Sequence, residues 1–242
     1  MGRTAKWVLD AMETFMASKM PLMTVTETQY ISPYIKKIRF KGSLSGMDFQ
    51  LGYAVAIRVG DNDHRNYTVS FNDIEKGILE ITIHLHSDAP GSRFMSNLNV
   101  GNEIRISYPR GHKQYNSSVN TQLIFGDETS LGLACAFQPV VKSNQHQHQF
   151  QFYFELDEEN KNVPQLLGLE NYTVFPKNGT FKNKQLIEQL PIFKTDGWLS
   201  GNYVLTGNAK SIQTFRNVLR DKDIQSKSIL TQPYWAEGKI GL

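Results

Sequence analysis

The rhythm of the chain changes once, near residue 118, and that change constrains the fold more than any other feature. Before it, residues 23–26, 34–40, 54–59, 65–70, 78–86 and 103–107 are short runs rich in β-branched and aromatic side chains, punctuated by Gly, Asn and Asp. That is the composition of strands between turns, and six such strands predict a small antiparallel barrel. In the fifth run Leu79, Ile81, Ile83 and Leu85 alternate with Glu80, Thr82, His84 and His86, so the two sets face opposite ways. Only residues 92–98 of this half read as a helix. After the change, 122–125, 150–156 and 203–206 read as strands, alternating with helices at 131–141, 183–189 and 210–220. Asn208 is placed to cap the last of these. Alternation of strand and helix implies a parallel sheet covered by helices.

Three segments follow: a helical extension over 1–20, a barrel over 21–117 and an α/β domain over 118–242. In the extension Trp7, Ala11 and Phe15 form one apolar stripe at helical spacing, suited to docking on the body of the protein or on a partner subunit. The tract from Gln145 to Gln149 reads as a polar surface loop.

Composition narrows the function classes. With 242 residues, 40% hydrophobic and 20% charged, the chain can bury a substantial core and is neither disordered nor fibrous. A net charge of +3 without a basic stripe argues against nucleic acid. No apolar run reaches the ~18–20 residues of a bilayer span. Asp10 and Glu13 interrupt what would be the apolar stretch of an export signal, so the chain is expected in the cytoplasm. One cysteine excludes both a disulfide framework and a cysteine-ligated iron–sulfur cluster held by this chain alone. Redox chemistry would therefore need an organic cofactor or a metal on other ligands. His84 and His86 share a strand face but no third ligand is placed by sequence, and no metal site is assigned. Cys135, inside an apolar helical run, reads as a small buried residue.

Three segments can carry chemistry. In Arg65-Asn66-Tyr67-Thr68-Val69-Ser70, alternation puts a guanidinium and a phenol on one face. The guanidinium suits phosphate oxygens, the ring can stack on a planar heterocycle, and Thr68 can bond that ring's edge. Taken alone, the same pattern also describes an exposed strand face. His86-Ser87-Asp88-Ala89-Pro90-Gly91-Ser92 leads from a strand into a helix, where small Gly91 and Ser92 let an anion approach the first backbone amides. Gly126-Asp127-Glu128-Thr129-Ser130-Leu131 is a strand-to-helix turn without the Gly-x-Gly-x-x-Gly fingerprint. Its carboxylates would repel a pyrophosphate. The turn either positions a ribose or flavin, or Thr129 or Ser130 simply caps the next helix.

These segments, with Pro109-x-Gly111 and Tyr234-Trp235-x-x-Gly238, occur in an order that resembles the siderophore-interacting proteins, flavoproteins of the ferredoxin-reductase superfamily. The resemblance implies a six-stranded antiparallel flavin-binding barrel followed by a Rossmann-like, nicotinamide-binding-type domain. It implies FAD as cofactor, NADH, NADPH or ferredoxin as electron source, and a ferric siderophore as substrate, reduced to release Fe(II). Position by position, Arg65, Tyr67, Thr68 and Val69 would meet the flavin and its phosphate chain. His86, Asp88, Gly91 and Ser92 would complete the dinucleotide site. Asp127, Glu128 and Thr129 would close over the cofactor, and Tyr234 and Trp235 would lie near the flavin. Lys177, Lys182 and Lys184 are candidates for an anionic siderophore, or are charges on a solvated loop. The family usually has Gly where this chain has Ser87, Ala for Gly91 and Trp for Phe94. It also has Gly-Glu for Gly207-Asn208 and Leu-Pro for Leu131-Gly132; these last two departures fall on the nicotinamide side. Reduction of another acceptor, or binding of flavin and siderophore without turnover, are the alternative readings.

Overall fold

The computed structural model describes Trp7 and residues 20–61, 63–86, 88–112, 114–116, 118–143, 149–194 and 196–239. Apart from Trp7 and Gln149, the expected amino-terminal helix and the polar tract lie outside these residues. The chain divides into two compact units between residues 113 and 114.

The first unit is an antiparallel sheet of six strands. These are β1 (Leu22–Ser32), β2 (Ile35–Gly42), β3 (Ala54–Gly60), β4 (Asp63–Asp73), β5 (Ile78–His84) and β6 (Glu103–Arg105). Their order is β3-β4-β5-β2-β1-β6, and bridges from Ala54 to Arg110 and from Ile57 to Ile106 join the two edges into a nearly closed barrel. Inward residues of alternating strands fill it: Val25, Ile38, Phe40, Val55, Ile57, Leu79, Ile81 and Ile106 are buried. β1 runs past the 23–26 expected for it because two bulges let it bend along β2 without losing register. The second face of β5 differs from expectation. Glu80 and Thr82 are 8% exposed, because Arg39 of β2 lies across that face and donates from Nε to Glu80 Oε1 at 2.6 Å. A single helix, α1 (Pro90–Asn97), follows β5. It starts two residues before the expected 92, since Pro90 brings the right φ and lacks the amide that a first turn leaves unpaired.

The second unit is a parallel sheet of order β11-β10-β7-β8-β9. Its strands are β7 (Thr121–Gly126), β8 (Gln149–Leu156), β9 (Tyr172–Pro176), β10 (Asn202–Asn208) and β11 (Ile229–Trp235). Helices α2 (Leu131–Ser143), α3 (Val163–Leu166), α4 (Lys184–Glu188) and α5 (Ala209–Asp221) connect them in turn. Every residue of β7 and β10 is buried, as expected of central strands covered on both faces. The outer strands β9 and β11 carry no such run, and the sequence reading missed both. β11 contains Pro233, which an edge strand tolerates. Asn208 caps α5 as expected, accepting from the amides of Lys210 and Ser211 at 2.8 and 3.1 Å. Cys135 is half-buried rather than buried, because α2 packs through Leu131, Leu133, Ala134, Phe137 and Val141 and leaves Cys135 at the margin of that face. Among the described residues no helix is long and apolar enough to cross a membrane.

Candidate functional site

In the barrel, the pairing of β3 with β4 sets Arg65 opposite Ile57 and Tyr67 opposite Val55. The alternation expected for this strand therefore holds: the guanidinium and the phenol share a face, and Tyr67 packs against the barrel core. Thr68, opposite Ala54, takes the other face, while Val69 is 6% exposed and belongs to the core rather than to any surface. Burial pushes the Tyr67 hydroxyl far above its ordinary value, with nearby Arg65 opposing, so the phenol stays protonated. Arg65 is oriented by its own strand: Nη1 donates to His64 O at 2.8 Å and lies 3.8 Å from Asp63 Oδ1.

The start of α1 sits against these two side chains. A β-carbon on Gly91 would lie 2.9 Å from Tyr67 Oη and 3.3 Å from Arg65 Cγ. Even a single β-carbon here would require the hydroxyl end of Tyr67 to shift, so a bulkier side chain would force the helix start away. Ala89 precedes the helix and no side chain caps it there. Backbone amides of the first turn, which have no partner within a helix, are thus gathered beside a guanidinium. Ser92 Oγ donates to His86 O at 2.9 Å and ties the helix start to the end of β5. Asp88 forms an exposed ion pair with Arg93 at 2.9 Å, and the His86 ring lies 5.4 Å from that of His84. An aromatic ring, a guanidinium-bearing side chain and an uncapped helix start thus lie together, the groups that a phosphate-bearing, planar ligand would call on.

In the α/β unit, the strand order reverses between β7 and β10, and Asp127, Gly207 and Asn208 stand at the carboxyl ends of those strands. In open α/β sheets this is where ligands bind. Here the place is filled by the protein's own carboxylate. Asp127 Oδ1 accepts from the Thr129 amide at 2.9 Å and from the Thr129 hydroxyl at 2.5 Å. Oδ2 accepts from the Trp235 indole at 2.7 Å. A β-carbon on Gly207, whose φ is +95°, would lie 2.6 Å from that same Oδ2. Asp127 caps the short turn Glu128–Ser130 that leads into α2, its carboxylate reaching forward to the Thr129 amide. The hydroxyls expected to cap α2 are otherwise engaged: that of Thr129 donates to Asp127 and that of Ser130 lies 2.8 Å from Thr206 Oγ1. Glu128 points into the unit with a fully buried side chain. It accepts from the Asp157 amide at 2.7 Å and pairs with Lys177 at 2.5 Å. A dinucleotide pyrophosphate does not fit this turn, whose Thr129 amide is taken and whose two acids are held in place.

The three candidate lysines divide. Lys177 has a side chain 24% exposed and is shared between Glu128 and Asp157. Burial works to lower its ammonium, yet the hydrogen bonds and charges of those acids outweigh it and hold Lys177 above the ordinary lysine value. Lys182 and Lys184 have side chains 41% and 54% exposed, paired with Glu237 and Asp221 respectively. Tyr234 and Trp235 end the edge strand β11.

Glu155, which the sequence reading missed, is 4% exposed on β8 and accepts from Ser211 Oγ at 2.8 Å. Burial pushes its carboxyl up, the Ser211 bond opposes, and Asp127 adds to the rise. An acid raised in the folded state leaves stability intact below its ordinary value and costs stability as pH climbs from there to the raised value. Glu155→Gln, which keeps the acceptor for Ser211, is therefore expected to melt higher than the wild type at neutral pH. The two should converge in acid, and thermal melts across pH check this.

Residues 22–115 match the family model for the oxidoreductase FAD-binding domain. None of the curated proteins compared matches the chain. Among solved structures, the siderophore-interacting protein of Acinetobacter baumannii is similar with a TM-score of 0.73 at 20% identity, over 91% of this chain and 92% of its own. A siderophore utilization protein from T. fusca gives 0.71 at 20% identity, over 93% and 95%. Phthalate dioxygenase reductase, described as transferring electrons from pyridine nucleotides to [2Fe-2S], gives 0.73 at 12% identity, over 98% and 72%. These likenesses are in fold.

Proposed function

We propose, from the premise that residues 22–115 are an oxidoreductase FAD-binding domain within a ferredoxin-reductase-like fold, that this flavin oxidoreductase reduces ferric siderophores. The observation that carries the cofactor reading is the close approach of Gly91 to Arg65 and Tyr67 at an uncapped helix start. Bound FAD would supply the ability to accept electrons as a pair and release them singly, which a one-electron acceptor such as Fe(III) requires. The protein's part is to bind and orient. Arg65 and the amides at Gly91 and Ser92 would hold the phosphates. Tyr67 would offer its face to the ring system, and Thr68 would bond the ring's edge from the same strand. His86 would brace the helix start through the bond its carbonyl accepts from Ser92. No proton need be moved at iron, so no catalytic acid or base is assigned. Hard oxygen ligands favour Fe(III), and reduction weakens their hold and frees the metal. Lys182 and Lys184 would meet an anionic siderophore, since exposed ion pairs are weak and exchange readily. Lys177 is withdrawn from that role by its two carboxylate partners.

A second reading has the same flavin barrel serving a partner redox protein. The single cysteine is compatible with it, because a chain without its own cysteine-ligated cluster takes electrons from outside, from a nicotinamide or from a separate carrier such as ferredoxin. The Asp127 turn leaves the donor to experiment. The purified protein is expected to bind FAD. Anaerobic addition of NADH, NADPH or reduced ferredoxin should then bleach the flavin, and a ferric siderophore should restore the colour while a chelator traps Fe(II). Bleaching that only a quinone or redox protein reverses would support the second reading. A flavin that no donor reduces would leave a binding protein without turnover.

A further inference from the structure

Lys36 is a buried cation without a carboxylate. It lies on β2, opposite Tyr30 of β1 and Ile83 of β5, and is 1% exposed. Its Nζ lies 3.1 Å from Met95 O, 2.9 Å from Ser96 O and 2.7 Å from Leu98 O, and 5.3 Å from the centre of the Tyr30 ring. Among the described residues no acidic side chain pairs with it. These three carbonyls belong to the end of α1, where a helix leaves its last acceptors unpaired. The sequence of α1 does nothing for that end: it has no basic residue in its last turn, and Leu98 leaves the helix in an extended conformation. All three donors of one ammonium are spent there, brought from a strand 59 to 62 residues away.

The same helix carries the dinucleotide cradle at its other end. Eight residues at 1.5 Å each make it only about 12 Å long, so a tether at the carboxyl end sets where the amino end lies. Placement matters at that end because Gly91 packs directly against Tyr67 and Arg65. We infer that Lys36 is a positioning residue for the flavin dinucleotide: by tying the end of α1 to β2 it holds the amides at Gly91 and Ser92 in register with Arg65. The inference rests on the FAD reading above. Its consequence is specific to the phosphate-bearing half of the ligand, because α1 meets the phosphates and the ring system is held by β4.

The test compares FAD with riboflavin, which lacks phosphates, by fluorescence titration of the wild type, Lys36→Met, Lys36→Gln and Lys36→Arg. Lys36→Met removes all three bonds to the end of α1 and should weaken FAD by roughly tenfold or more. Riboflavin affinity should change far less, and Lys36→Arg, which keeps charge and donors, should recover most of the loss. Hydrogen exchange should quicken in residues 90–98 of the methionine variant and not in β4. If the methionine variant does not fold, the glutamine variant, which keeps two donors but no charge, replaces it. Parallel weakening of both ligands, or unchanged FAD affinity, overturns the inference. A wild type that binds no FAD overturns instead the reading on which it rests.

Discussion

Gly91→Val is expected to lower FAD affinity on the order of a hundredfold while the barrel remains folded. The β-carbon alone would lie 2.9 Å from Tyr67 Oη and 3.3 Å from Arg65 Cγ, and valine adds two methyl groups there. Either α1 withdraws or the two side chains swing aside. Both movements separate the guanidinium from the helix amides. Charge-assisted hydrogen bonds contribute about 1.5–3 kcal/mol each, so the loss of two at the lower end of that range already amounts to about two decades in the dissociation constant. The barrel stays folded because Gly91 lies at the helix start and is not one of the apolar residues that fill the barrel core. Gly91→Ala should be milder, because the nearest atom is the far end of the tyrosine and can move. Fluorescence titration with FAD, beside circular dichroism for the fold, decides the matter. Wild-type affinity in the valine variant would show that the cradle does not hold the cofactor.

Phe125→Ala is expected to lower the unfolding free energy of the α/β unit by about 3–5 kcal/mol, the range for removing a large aromatic from a packed core. Phe125 lies on the central strand β7 and is 1% exposed. Its ring sits 4.3 Å from that of Phe181 and 5.4 Å from that of Phe215, and those two lie 5.6 Å apart. The three come from a strand, a connecting turn and α5, so the cavity opens where three parts of the unit meet. Domains are stable by only about 5–15 kcal/mol in total, so the loss is a large share. Denaturant melts should show an earlier transition with an unchanged slope, and Phe125→Leu should lose less than half as much. A melt identical to wild type would mean that the cavity collapses at no cost.

Much of the architecture was readable because it is written in local patterns. Alternation in the strand around Arg65 and Tyr67, the short apolar runs Leu123 to Phe125 of β7 and Tyr203 to Leu205 of β10, and the Asn208 cap each depend on neighbours within a few residues. Boundaries at α1 and β1 moved by a few residues where a proline or a bulge intervened. The edge strands β9 and β11 escaped notice because a half-buried strand with one unpaired side need not be uniformly apolar, and β11 even accepts a proline.

The roles of charged residues were the least readable. Asp127 and Glu128 looked alike as two adjacent acids, yet one caps a turn and binds an indole 108 residues away, while the other is buried against Lys177. Lys177 and Lys182 looked alike on one loop, and only the partners separate them. A charge is read by what surrounds it, and those surroundings come from distant parts of the chain.

The sequence by itself determined two units, a barrel and an α/β layer, the strand that carries Arg65 and Tyr67, and the exclusion of a cysteine-held cluster. Periodicity, turn residues and composition act over short range and survive without knowledge of the fold. Only the tertiary structure decided that Gly91 packs directly against Tyr67 and Arg65, that Asp127 fills the turn where a pyrophosphate would lie, and that Lys36 holds the end of α1. Each of these depends on atoms brought within about 3 Å by strand pairing and helix packing across tens of residues, at the reach of a hydrogen bond.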